Sequence, residues 1–135
     1  MKYTRVRNEK RGVDLARHAE VADSWWPRLR GLLGRPALTE GEGLLLLPCR
    51  SVHMFGMRFP IDVAFVGESG EVVALYPSLK PGGRTKWHRQ ARYALELPDG
   101  TLAATRTTVG DILAWEAGTQ EAAKSPRSIE QEVLS

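Results

Sequence analysis

Hydrophobic and polar positions alternate near the N terminus. Alternation runs over Tyr3–Arg7, stops at the polar cluster NEKRG, and resumes from Val13 to Val21. Successive side chains of a β-strand point to opposite faces of the sheet, so this pattern is typical of a half-buried strand. The pattern therefore predicts that the chain opens with a β-hairpin.

The spacing of the apolar residues becomes helical after this hairpin. Positions i, i+4, i+7 and i+8 of one helix face are occupied by Trp25, Leu29, Leu32 and Leu33. Ser24 can cap the start of such a helix, and Pro27 lies in its first turn, where a missing N–H is tolerated. Gly34 and Pro36 then end it. We therefore predict one short N-terminal helix over residues 24–33.

The rest of the chain shows the pattern of short strands. The predicted strands are Leu44–Leu47, Ile61–Val66, Glu71–Tyr76, Ala91–Leu97 and Ile112–Trp115. A turn at residues 68–70 joins two of them, and Thr101–Arg106 has room for one or two helical turns. Many short strands and few helices predict a mainly β (α+β) fold, a small antiparallel β-barrel or sandwich.

Length and composition fit one soluble domain. The chain has 135 residues, of which 42% are hydrophobic and 26% charged, as expected for one packed core. We expect a compact domain over residues 1–117 and a polar, flexible tail over residues 118–135. No segment has the apolar length of a membrane span or of a signal peptide. With a single cysteine, these features predict a cytoplasmic monomer that does not contact membranes.

The positive charge is concentrated in one segment. The net charge is +3, and Lys80–Arg92 contains five Lys/Arg residues, one His and no acid. Pro77–His88 contains Pro-Gly-Gly and is predicted to be a mobile loop. Such a run is either a solvated loop or a site for single-stranded nucleic acid, which combines stacking with phosphate neutralisation. The candidate residues of this basic loop are Lys80, Arg84, Lys86, Trp87, His88 and Arg89.

A second candidate segment, CRSVHMFGM, gathers sulfur and imidazole side chains. Cys49, His53, Met54 and Met57 are ligand types that Cu(I) accepts, but their spacing matches no metal motif. Cysteine and methionine also serve as apolar packing residues. We therefore predict a packing role, with no metal and no cofactor.

Six blocks of the chain resemble a known family in the same order. The blocks are RLRGLLGRPAL, GLLLLP, SVHMFGMRFPIDVAFV, GEVVALYP, ARYALELPDGT and VGDILAW. They are similar to domain of unknown function 192, also called uncharacterised protein family 127, over residues 21–115. The resemblance implies a compact, mostly β domain and no accepted reaction. It includes Met54, whereas many members have an aromatic residue at the position of His53 and no cysteine at that of Cys49.

The family pattern also includes three charged residues that suggest a site. Asp62 is out of phase with the apolar residues of its strand, and Arg92 and Glu96 are out of phase with those of theirs. If the two strands are neighbours, these charges share one face with Arg58 close by. We predict a non-catalytic pocket floored by Val52–Phe59, which includes His53, that binds a polar or anionic ligand, a glycan or a peptide.

Two alternatives remain open from the sequence. One is an enzyme in which His53 and Asp62 are acid–base partners and Cys49 is a nucleophile. The other is a basic nucleic-acid-binding module that acts through Lys80–Arg92. The first predicts fast labelling of Cys49 by a thiol-reactive probe, and the second predicts binding of a single-stranded oligonucleotide that weakens steeply with salt.

Overall fold

The computed structural model describes residues 2–22 and 37–116. These residues form seven strands and one short helix: β1 Lys2–Asn8, β2 Val13–Ala22, β3 Glu42–Leu46, β4 Ile61–Val66, β5 Val72–Leu79, β6 Tyr93–Pro98, α1 Thr101–Thr105 and β7 Leu113–Ala114. The predicted N-terminal helix and C-terminal tail lie outside the described residues. The helix that is described is far too short to cross a bilayer.

The strands form one sheet that curls into a half-barrel. Their order is β5-β4-β6-β3-β2-β1-β7. Only the β2–β3 pair is parallel among the described strands. The two edges meet at one end, where Glu71 bridges Ile112 and the Leu113 N–H donates to the Gly70 carbonyl over 2.8 Å. The predicted mainly β fold is therefore confirmed, and α1 lies where one or two helical turns were predicted, at residues 101–106.

The central strands are buried on both faces. In β4, Ile61, Val63 and Phe65 belong to one apolar cluster, while Ala64 and Val66 belong to another on the opposite side. All six residues of β4 are buried. This arrangement explains why β4 is almost continuously apolar, a composition that strands covered on both sides share. It also leaves no solvent-facing side in β4.

A buried polar network ties the first hairpin to the last loop. The Asn8 amide donates to Oδ2 of Asp111 over 3.0 Å and to the Thr107 hydroxyl over 3.1 Å. Arg11 Nε also donates to Asp111. The hydrogen bond from Asn8, then that from the Thr108 backbone, holds the pKa of Asp111 well below its usual range. The network joins segments about a hundred residues apart in sequence.

Gly70 is required where the edges of the sheet meet. Its φ is +95°, and an added Cβ would lie 2.6 Å from the Leu113 carbonyl oxygen. Gly110 has the same φ of +95° but open space around it. Both substitutions to alanine therefore carry left-handed strain of about 1 kcal/mol, and only Gly70→Ala adds a clash with backbone.

We predict that Gly70→Ala lowers the free energy of unfolding by at least about 2 kcal/mol more than Gly110→Ala does. Urea unfolding of the two variants beside the parent chain measures the difference. Equal destabilisation by both variants would show that the junction between the sheet edges tolerates the added methyl group.

Candidate functional site

The predicted charged pocket is not formed, because its two carboxyl groups lie on opposite faces of the sheet. The strands β4 and β6 are neighbours, as expected, but Asp62 pairs with Leu97 and Glu96 pairs with Val63. Cross-strand partners share a face, so Asp62 projects towards one apolar cluster and Glu96 towards the other. Both carboxyl groups are buried, with Glu96 8% exposed. The shared face was therefore a wrong prediction.

The Asp62 carboxylate is a structural acceptor. Its Oδ1 accepts the Ser78 N–H over 2.8 Å, and its Oδ2 accepts the Leu102 N–H over 2.7 Å. Ser78 lies in a bulge of β5 with φ +55°. Leu102 lies in the first turn of α1, whose N-cap, Gly100, has no side chain to accept a bond. Asp62 thus caps the helix from a neighbouring strand.

The two arginines of the predicted set lie at the surface, away from these carboxylates. Arg58 and Arg92 are exposed, and neither is ion-paired within residues 2–22 and 37–116. The backbone of Arg92 is fixed, since its N–H donates to Val66 and its carbonyl accepts from Cys49. Of the four charged residues predicted to line the pocket, the two acids are therefore buried and the two arginines are exposed.

Glu96, a residue of the predicted pocket, has an unusual electrostatic environment. Burial raises the pKa of its carboxyl from the ordinary 4.5 to about 7. No hydrogen bond or ion pair offsets this effect in the described part of the chain. Its neighbours across the sheet, Leu44 and Val63, are apolar. The carboxyl group is therefore close to half neutral at physiological pH.

The residues of the proposed thiol enzyme do not assemble. Cys49 is buried and its Sγ donates to the Ser51 carbonyl over 3.1 Å. His53 is exposed, and its Nδ1 accepts the Phe55 N–H over 3.3 Å. Both oxygens of Asp62 already accept backbone bonds. Hence His53 and Asp62 do not form the acid–base pair that this alternative requires.

The sulfur-containing residues belong mainly to the core. Cys49 and Met54 are buried in the same apolar cluster, and Met57 packs against it. Within the described ranges, no group of three His, Cys, Asp or Glu side chains is placed to hold a metal ion. The segment that carries these residues has a second role, because its backbone pairs with the basic loop.

The segments 49–59 and 80–92 form a hydrogen-bonded layer, here called the loop layer. The Met54 N–H donates to Gly83, the Thr85 N–H to Val52, and the His88 N–H to Arg50, over 2.9, 3.0 and 2.8 Å. His53 and Arg84 form a bridge between these contacts. The basic loop, which the sequence suggested to be mobile, is therefore held along its length by antiparallel backbone pairing.

The exposed side chains of the loop layer include two large aromatic rings and most of its cations. Phe55 is 78% exposed and Trp87 is 68% exposed. The layer contains no acidic residue, and its cations are Arg50, Arg58, Lys80, Arg84, Lys86, Arg89 and Arg92. None of these cations forms an ion pair with a described carboxylate. The basic loop was identified from the sequence, whereas Phe55 was missed because only the fold brings it beside that loop.

A tyrosine–histidine pair anchors the loop layer to β5. The Tyr76 hydroxyl lies 2.7 Å from Nε2 of His88 and accepts the Lys86 N–H over 3.1 Å. This contact is a hydrogen bond that joins the two side chains, and its direction follows the tautomer of His88. Burial, and then the charge of Lys86, lowers the pKa of His88. The ring also packs on Phe65, with centroids 4.7 Å apart.

An open cavity of about 540 Å³ adjoins this anchor. Its lining contains apolar, aromatic, cationic and amide groups, which come from Val73, Trp87, His88, Arg89 and Gln90. This combination can contact a flat ring, an anion and a hydrogen-bonding edge at once.

Fold and surface together define a small, mostly β protein with a curled sheet and a basic loop layer. The model of the DUF192 family, described as an uncharacterized ACR, matches residues 6–115. The chain belongs to this family. The match confirms the resemblance noted above and extends it towards the N terminus into β1.

Curated relatives agree with this assignment, and a solved structure shares the fold. The chain is 30% identical to a UPF0127 protein of Thermococcus sibiricus, over 86% of this chain and 77% of the relative. It is 35% identical to a UPF0127 protein of Pyrococcus furiosus, over 80% and 95%. A crystal structure of a protein of unknown function from Novosphingobium aromaticivorans shares the fold, with a TM-score of 0.71, 22% identity and 84% of each chain covered.

We predict that Asp62→Ala lowers the free energy of unfolding by about 3 kcal/mol, because two backbone N–H groups lose their acceptor. Asp62→Asn keeps only one acceptor oxygen and should lose part of this stability. Asp99→Ala, an exposed turn residue, is the control and should change stability by less than about 0.5 kcal/mol. Urea unfolding measures all three variants, and a stable Asp62→Ala protein would contradict the structural role.

We predict that Glu96→Gln removes the loss of folding stability that ionisation of Glu96 causes at high pH. Because burial raises the pKa of Glu96 to about 7, the folded state binds this proton more tightly than the unfolded state. Stability then falls as pH rises from 4.5 to 7, by about 3 kcal/mol in total. Glu96→Gln should match the parent at pH 4 and exceed it by up to that amount at pH 8.

Chemical unfolding at several pH values, with the exposed Glu68→Gln as control, measures this difference. Glu68→Gln should leave the pH profile unchanged. A Glu96→Gln profile parallel to that of the parent would show that the carboxyl group ionises normally in the folded protein.

Proposed function

We propose that this protein is a non-catalytic binding module for an extended polyanion, which it contacts with the loop layer. The observation that carries the proposal is the set of seven cations on a layer without any acid and without an ion-pair partner among the described residues. Unpaired cations create a positive surface potential that attracts a chain of negative charges.

The order of the loop layer supports the proposal. Arg84 and Lys86 flank the buried Thr85, whose N–H and hydroxyl both bond to Val52. Their backbone is therefore fixed before any ligand arrives, and only side-chain freedom remains to be lost on binding. Preorganisation of this kind lowers the entropic cost of association.

The surface suits an anion better than the other ligands considered. A neutral glycan would leave the cations of the loop layer without counter-charges. A peptide that binds as an added strand needs an exposed sheet edge, and the loop layer is distinguished by its charge and not by such an edge. We also propose that the protein acts in the cytoplasm, as its single cysteine suggests, because polyanions with repeated phosphates are available in that compartment.

We predict that Arg84→Ala combined with Lys86→Ala lowers affinity for inorganic polyphosphate at least tenfold at low salt. It should also reduce the slope of log K against log salt by about one to two, because up to two phosphate contacts are lost. Titration calorimetry in 50 and 200 mM NaCl measures both quantities.

Arg5→Ala combined with Lys10→Ala is the matched control. It removes one Arg and one Lys that are exposed at the opposite end of the chain, in β1 and its turn. Affinity should then fall less than threefold. An equal loss in both double variants, or no binding by the parent protein at low salt, contradicts the proposed surface.

A further inference from the structure

We infer that the polyanion is a single-stranded nucleic acid, with Trp87 and Phe55 as two positions on which its bases stack. The inference rests on the proposed function, because it names the ligand of the same loop layer. The proposed function uses only the cations of the loop layer, whereas this inference also assigns a role to its exposed aromatic side chains.

The exposure of the two aromatic rings is the first support. Phe55 and Trp87 are the most exposed of the large hydrophobic side chains in the described residues, at 78% and 68%. Both lie on the loop layer, among its cations. Leaving large rings in water has no benefit for folding, whereas bases stack on such rings with little dependence on sequence.

The cavity beside Trp87 is the second support. Trp87 provides a stacking surface, Arg89 a charge for a phosphate, and Gln90 an amide with both donors and acceptors. The His88 ring, which also lines the cavity, is held by its hydrogen bond with the Tyr76 hydroxyl. These groups match the three parts of a nucleotide: a flat ring, a polar edge and an anion.

The position of the two aromatic residues along the paired segments is the third support. Trp87 precedes His88, whose N–H donates to the Arg50 carbonyl, and Phe55 follows Met54, whose N–H donates to the Gly83 carbonyl. His53 and Arg84 lie between them, and the His53 ring is centred 6.2 Å from that of Phe55. A nucleic-acid strand laid along the two paired segments would meet one ring towards each end, with the cations Arg84 and Lys86 of the same segments available to its phosphates.

Single strands fit this surface better than duplexes do. Stacking on a protein ring requires an unpaired base, because the bases of a duplex already stack on each other. No described helix is long enough to enter a major groove, since α1 has only five residues. The loop layer therefore has no helix with which to read the bases of a duplex in the major groove.

The experiment compares a labelled 15-mer of thymidine, its uridine counterpart, a matched duplex and inorganic polyphosphate, by anisotropy and competition at low salt. We expect Trp87→Ala to weaken binding of the single strand about 10- to 100-fold, and to change polyphosphate binding less than twofold. Trp87→Phe should retain most of the affinity, and Trp87→Leu should not. Phe55→Ala should show the same selective loss as Trp87→Ala.

The matched control is Val109→Ala, which truncates another exposed apolar side chain, 61% exposed, in the turn before β7. It should leave binding of the single strand unchanged. Circular dichroism confirms that each variant is folded, which is expected because the altered side chains are exposed.

The other outcomes separate this inference from the proposed function. If the single strand binds no better than polyphosphate and Trp87→Ala weakens both equally, the nucleic-acid inference fails while the polyanion proposal stands. If neither ligand binds at low salt, both fail. Equal affinity for the duplex, or full competition by micromolar thymidine monophosphate, overturns the assignment to a single strand.

Discussion

The two hydrogen bonds that the Asp62 carboxylate accepts set the geometry on which the rest of the domain depends. One holds the bulge at Ser78, and the other holds the first turn of α1 at Leu102. The bulge lies just before the chain leaves β5 for the basic loop, so a buried charge in the central strand decides how that loop starts. Unmade bonds at buried amides are costly, and this gives the arrangement a strong energetic preference over alternatives.

Backbone pairing gives the basic loop a fixed conformation that its composition alone does not predict. From composition alone, Pro81, Gly82 and Gly83 suggest a flexible segment. In the fold, Gly82 and Gly83 both bond to the backbone of Met54, and the Thr85 side chain accepts from Val52. A loop fixed in this way presents its charges in a constant order along an edge. Such order reduces the conformational entropy that the loop would lose on binding a ligand.

Local patterns predicted the strands well, because each depends on a few neighbouring residues, as in the hairpin that begins at Tyr3. The face on which a polar residue lies could not be predicted in the same way. Asp62 and Glu96 are both out of phase with their apolar neighbours, but the register between β4 and β6 sends them to opposite sides. Register depends on pairing between distant segments, and so does the bond between Asn8 and Asp111. Because both faces of β4 are buried, the alternation of polar and apolar residues along this strand does not show which side chains face solvent.

The placement of the acids explains why the outer face of the loop layer keeps its positive charge. Asp62 and Asp111 use their oxygens in hydrogen bonds beneath the surface, and Glu96 has a pKa near neutrality because it is buried. Carboxylates directed inward cannot neutralise cations that point outward, and a field at the surface extends about 8 Å at physiological salt. The same separation that makes Glu96 costly to ionise therefore leaves Arg84 and its neighbours available to an anion. The proposed ligand, which carries both phosphates and flat bases, would contact the cations and the exposed aromatic rings of this surface together.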